Sequence, residues 1–130
     1  MGYESILYVV LSYKIDDAWS TREINGKQMV WGDVVATYDL CKCYPVSDKM
    51  RHYPPTSRYI YADDGDTMIT EDRYGAPLTE IPLRDAIRII EKAQREDEYG
   101  YWRYAPCLAM LKAFAKAEEA DSLAVLHYGY

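Results

Sequence analysis

Residues 82–96 read PLRDAIRIIEKAQRE, and this stretch decides the fold class. Pro82 stands where a helix can open, because the first turn has no use for the N–H that proline lacks. Leu83, Ala86, Ile87, Ile90 and Ala93 then recur at helical spacing and form one apolar stripe. Arg84, Asp85, Arg88, Glu91, Lys92 and Arg95 occupy the opposite side. A helix with one apolar stripe must lay it on another hydrophobic layer. Its acidic end, Glu96-Asp97-Glu98, opposes the helix dipole, which suits an end that frays or meets a partner.

Downstream, Tyr99-Gly100-Tyr101-Trp102-Arg103-Tyr104 predicts an aromatic corner. A second helix is expected from Pro106, patterned by Cys107, Leu108, Met110, Leu111 and Phe114 and favoured by its alanines. Asp121-Ser122 ends it, and Leu123–Tyr128 (LAVLHY) reads as a closing strand.

Upstream the period changes to that of strands. Tyr3 to Ile15 carries β-formers in a continuous apolar run, expected of a strand buried on both faces. Asn25-Gly26 predicts a tight hairpin with arms at Trp19–Ile24 and Lys27–Trp31. Val34 to Cys43 alternates as another strand. Residues 44–58 hold Pro45, Pro54 and Pro55 and read as a loop, locally basic through Lys49, Arg51 and Arg58, next to Lys42. Arg58 to Ala62 and Thr67 to Glu71 flank Asp63-Asp64-Gly65-Asp66, a hairpin with Asp-Gly in its turn. Strands followed by helices and a last strand predict one α+β domain spanning 1–130. The expected sheet is mainly antiparallel, of about four to six strands, with two helices on one face.

Composition narrows the function classes. The net charge of −6 opposes direct binding of duplex nucleic acid, which needs a basic footprint. Acidic charge also serves solubility, and it can imitate a phosphate array in front of a basic partner. The longest apolar run, Ile6–Leu11, is far short of the ~20 residues of a spanning helix, so no membrane partner is expected. The N-terminal residues lack a signal-peptide pattern, and three cysteines without a framework fit a reducing cytoplasm. Fourteen tyrosines against one phenylalanine suit contact surfaces, where a large ring with a polar tip binds at low entropic cost.

No catalytic motif is present: phosphate loops, H-E-x-x-H and G-x-S-x-G are all missing. Asp63, Asp64, Asp66, Glu71 and Asp72 form the densest acidic cluster, but the ligand spacing of a calcium loop is not met. Cys41 and Cys43 would share one strand face, and with His52 and Cys107 they offer a zinc set of poor spacing. His127 lies in an apolar strand and reads as structural. No metal and no cofactor is expected.

The segments 1–10 (MGYESILYVV), 31–42 (WGDVVATYDLCK) and 70–77 (TEDRYGAP), under a third of the chain, resemble small proteins of phages and integrated mobile elements. The resemblance implies a compact acidic protein, some of whose kind inhibit host defences such as CRISPR effectors by binding them. No residue role carries over from it. The expected function is therefore a non-catalytic binding module acting in the bacterial cytoplasm on a nucleic-acid-handling protein. Its contact residues would be Asp63, Asp64, Asp66, Glu71, Asp72, Glu96, Asp97, Glu98, Tyr99, Tyr101 and Trp102. Rival readings are a virion or assembly homo-oligomer, for which a homodimer is the smallest case, and a small enzyme or metal protein using Cys41, Cys43 and His52.

Overall fold

The computed structural model describes residues 4–129 apart from 13, 16, 17 and 20, with the backbone alone for 14, 15, 18 and 19. Tyr3 and Tyr13 of the first expected strand, and parts of the first expected hairpin arm, lie outside the described residues. In chain order the elements are β1 (Ser5–Leu11), β2 (Lys14–Ile15), β3 (Ala18–Trp19), β4 (Thr21–Ile24), β5 (Lys27–Trp31), β6 (Asp33–Cys41), α1 (Tyr44–Met50), β7 (Arg58–Tyr61) and β8 (Met68–Ile69). They continue as β9 (Thr79–Pro82), α2 (Leu83–Glu96), α3 (Tyr104–Ala115), a 3₁₀ turn at Ala120–Ser122, and β10 (Leu123–Tyr128).

The class is α+β, as the strand and helix order predicts. One antiparallel sheet runs β6-β1-β10-β9, and a second runs β4-β5-β7-β8, with β5 and β7 parallel. β1 explains the arrangement. Its Leu7 and Val9 are fully buried in the cluster that includes Ala86, Ile90, Leu108 and Leu111 of the two long helices. Its Val10 packs the other way, with Ile60 of β7, Leu78 and Leu126. The continuous apolar run thus belongs to a central strand with helices on one face and the second sheet on the other. Each fully buried Leu or Ile of this kind contributes about 1.5–3 kcal/mol relative to exposure.

Two local signals hold as read. Asn25 and Gly26 both take positive φ (51° and 79°), as the tight turn between β4 and β5 requires. The stripe of α2 buries Leu83, Ala86, Ile90 and Ala93.

One expectation is corrected. Residues 44–50 are a helix, not part of a loop, so the described residues hold three α-helices. Pro45 lies in the first turn of α1, where its missing N–H costs nothing, and Val46, Ser47 and Met50 supply a buried face. Pro106 likewise lies inside the first turn of α3, which starts two residues earlier than expected.

β10 carries the one buried histidine. His127 stands opposite Leu7 of β1, and its Nε2 shares a 2.9 Å hydrogen bond with Ser5 Oγ. Both residues are buried, and burial pushes the imidazole down to about 4. The pair pins two core strands from inside, consistent with the structural role read from the sequence.

Candidate functional site

The acidic hairpin between β7 and β8 is shaped by one of its own carboxylates. Asp64 Oδ1 accepts the N–H of Asp66 and of Thr67, each at 2.9 Å, and its Oδ2 accepts Thr67 Oγ1 at 2.6 Å. These donors favour the charged form and hold the Asp64 carboxyl below its ordinary value. Gly65 closes the turn at φ 75°. Asp64 therefore builds the tip, and exposed Asp63 and Asp66 present charge from it.

Glu71 and Asp72 separate. Glu71 is exposed, whereas Asp72 is buried and its Oδ1 accepts the N–H groups of Tyr74 (2.9 Å) and Ala76 (3.0 Å). Asp72 holds the next turn and offers no face to a partner.

The corner between α2 and α3 is a built platform. Asp97 Oδ2 accepts the Tyr101 N–H at 2.6 Å, and Gly100 takes φ 67° to turn the chain. Tyr101 OH donates to the Leu40 carbonyl at the end of β6, and its ring meets Tyr104 edge-on at 5.2 Å. Arg103 donates to the Asp39 carbonyl at 2.8 Å, and Tyr38 OH donates to the Arg103 carbonyl at 2.8 Å. The Arg103 guanidinium lies 4.9 Å from the centre of the Trp102 ring. Asp97 and Tyr101 are thus the frame of the corner. Tyr99 (91% exposed) and Trp102 (67% exposed) are what it displays, beside exposed Glu96 and Glu98. A helix end that could fray is instead fastened to the sheet through three side chains, Tyr101, Arg103 and Tyr38.

Strand β6 joins the two surfaces. The corner is bonded to its C-terminal end. Along its N-terminal half a groove of about 400 Å³ runs toward the hairpin tip, lined among others by Trp31, Asp33, Val35, Thr37, Tyr61 and Asp63. No lysine or arginine lines that groove. Asp33, Val35 and Asp39 were not singled out from the sequence. The usable signal was a charge near each end of an otherwise apolar strand, a mark of a sheet edge.

Two cations of the basic segment pair away from this surface. Arg51 pairs with Asp48 at 3.2 Å, and Arg58 with Glu80 at 3.0 Å.

The cysteine set is not gathered. β6 ends at Cys41, which takes φ 60° and is exposed, while Cys43 beyond the turn is buried against Tyr104 OH at 3.2 Å. The two thiols therefore do not share a strand face. Burial raises the Cys43 thiol and pushes Cys107 up to about 12, which suppresses the reactive thiolate. His52 lines a cleft with Arg51, Tyr53 and His127 that holds neither Cys41 nor Cys43. Among the described residues no three His, Cys, Asp or Glu side chains come together as a metal site, and no helix among them is long and apolar enough to cross a membrane.

No family model matches the chain, and no curated protein or solved structure is similar to it.

Proposed function

We propose that the protein is a non-catalytic binding module that works by covering a basic surface of another protein. Most concretely it is a phage-type inhibitor, acting in the cytoplasm of a bacterial host, that occupies the nucleic-acid groove of a defence protein such as a CRISPR effector. The observation that carries this reading is the rigid corner. Two exposed aromatic rings, Tyr99 and Trp102, stand beside Glu96 and Glu98 on a corner closed by Asp97 and tied to β6 through Tyr101 and Arg103. Exposed aromatics on a rigid support are what interface anchors require, and surrounding negative charge selects a positive partner. Asp63 and Asp66 extend the same sign beyond β6.

Competition tests the reading. A purified guide-loaded CRISPR effector is bound to fluorescently labelled target DNA, and the protein is titrated in at low salt. The labelled DNA is expected to be released as the protein binds, and excess unlabelled DNA to reverse this. Simultaneous binding of protein and DNA to effectors of every type tried, or no binding to any of them, would overturn the groove-covering role.

A further inference from the structure

We propose that the outer edge of β6, with the groove beside it, takes an extended basic segment of the partner as an added antiparallel strand; this rests on the contact function above and names the partner's chemistry. β6 is the last strand of its sheet, paired on one side with β1 and with no described strand on the other. Its register against β1 shifts twice, leaving Val35 and Leu40 as extra residues, so the regular stretch is short and runs from Ala36 to Asp39. The Asp39 carbonyl is turned outward, where the Arg103 guanidinium reaches it. By the two-residue alternation of an antiparallel ladder, the N–H and C=O of Thr37 face the same way. An incoming strand would find the N–H and C=O of Thr37 at its hydrogen-bonding edge and would end beside the Asp39 carbonyl that Arg103 holds. Its side chains on one face would enter the groove of Trp31, Asp33, Val35, Tyr61 and Asp63.

Charge decides which segment fits. Asp33 and Asp63 line the groove and no Lys or Arg among the described residues does, while Arg22 reaches Tyr61 OH at 3.3 Å from beside it. A β6 edge from a second copy of this chain would bring Asp33 and Asp39, and no cation, to an edge already lined by carboxylates. A segment alternating Lys with Val or Thr would bring ammonium groups to the groove that Asp33 and Asp63 share with Trp31 and Tyr61. Bulges and end charges guard this edge against promiscuous pairing. They leave it open to a strand of opposite charge.

The probe is an acetylated, amidated peptide, Thr-Lys-Val-Lys-Val-Lys-Thr, titrated calorimetrically into the whole protein at low salt. Its control replaces each Val by Pro, which keeps the charge and forbids strand pairing. The Val peptide is expected to bind at least about tenfold more tightly than the control. Thr37→Pro, a change an outer edge tolerates, is expected to abolish that preference at unchanged melting temperature. Asp63→Asn, which leaves the edge backbone intact, is expected to weaken the Val peptide while keeping its lead over the control. Equal binding of both peptides, or of neither, overturns strand addition. The DNA competition above is read independently, so equal peptide binding leaves the contact function standing. Self-association of the free protein, abolished by Thr37→Pro, would also overturn the proposal by making a second copy the occupant.

Discussion

Lowering the pH from 7 to 4 is expected to remove about 3 kcal/mol of folding stability through His127 alone. In the fold the ring is buried between core strands and titrates near 4, against an ordinary 6.5. The unfolded chain therefore binds a proton over this range that the native chain refuses. The contribution is fully present above 6.5, declines as the pH falls, and is spent below about 4. The Asp64 carboxylate, held below its ordinary value, adds its own acid sensitivity, so the test is a difference. Denaturant melts of the native protein and of His127→Gln, which keeps an amide able to bond Ser5 Oγ, are compared at both pH values. The variant is expected to start less stable, because the amide fits the site imperfectly, and to lose about 3 kcal/mol less on acidification. An identical loss in the two proteins would show that the ring is not held neutral.

Replacing Trp102 by Ala is expected to weaken partner binding by at least about 30-fold and to leave thermal stability nearly unchanged. The ring is 67% exposed, so its removal opens no core cavity. What the fold loses is the stacked Arg103 guanidinium, worth about 0.5–1 kcal/mol at an exposed site. Arg103 keeps its bond to the Asp39 carbonyl, so the platform stays in place. An anchoring aromatic, by contrast, commonly carries 2 kcal/mol or more of the binding energy, by the usual hot-spot magnitudes. Equilibrium binding of the effector captured in the competition assay checks this, together with a melt. A variant that binds normally would remove the corner from the interface. One that melts early would show that Trp102 supports the fold.

The elements legible in the sequence were those whose signals are local. The stripe from Leu83 to Ala93, Asn25-Gly26 at its turn and the closing LAVLHY strand each declare themselves within a few residues, and the structure contains all three. Pro45 misled because proline breaks a helix interior but suits a first turn, and only the burial of Val46 and Met50 distinguishes the two cases. The second sheet was not foreseen as separate, because a parallel pairing such as Val30 with Arg58 leaves no turn between its partners. At the contact surface the residue types were legible and their roles were not. Asp72, Asp97 and Tyr101 look like their exposed neighbours in sequence. Their bonds to the Tyr74 N–H, the Tyr101 N–H and the Leu40 carbonyl are what separate frame from display. The β6 edge has only a faint local signal, Asp33 and Asp39 near its ends, because an edge is a property of the sheet order.

The most direct test of the central claim is the effect of reversing the displayed charge while sparing the carboxylate that builds the turn. Asp63→Lys with Asp66→Lys leaves Asp64 in its bonds to Asp66 N, Thr67 N and Thr67 Oγ1. The doubly substituted protein is expected to melt like the native one, to bind the effector at least about 100-fold more weakly, and to leave labelled DNA in place. Unchanged affinity and unchanged DNA release in a fully folded variant would contradict the claim that this acidic surface is what the partner meets.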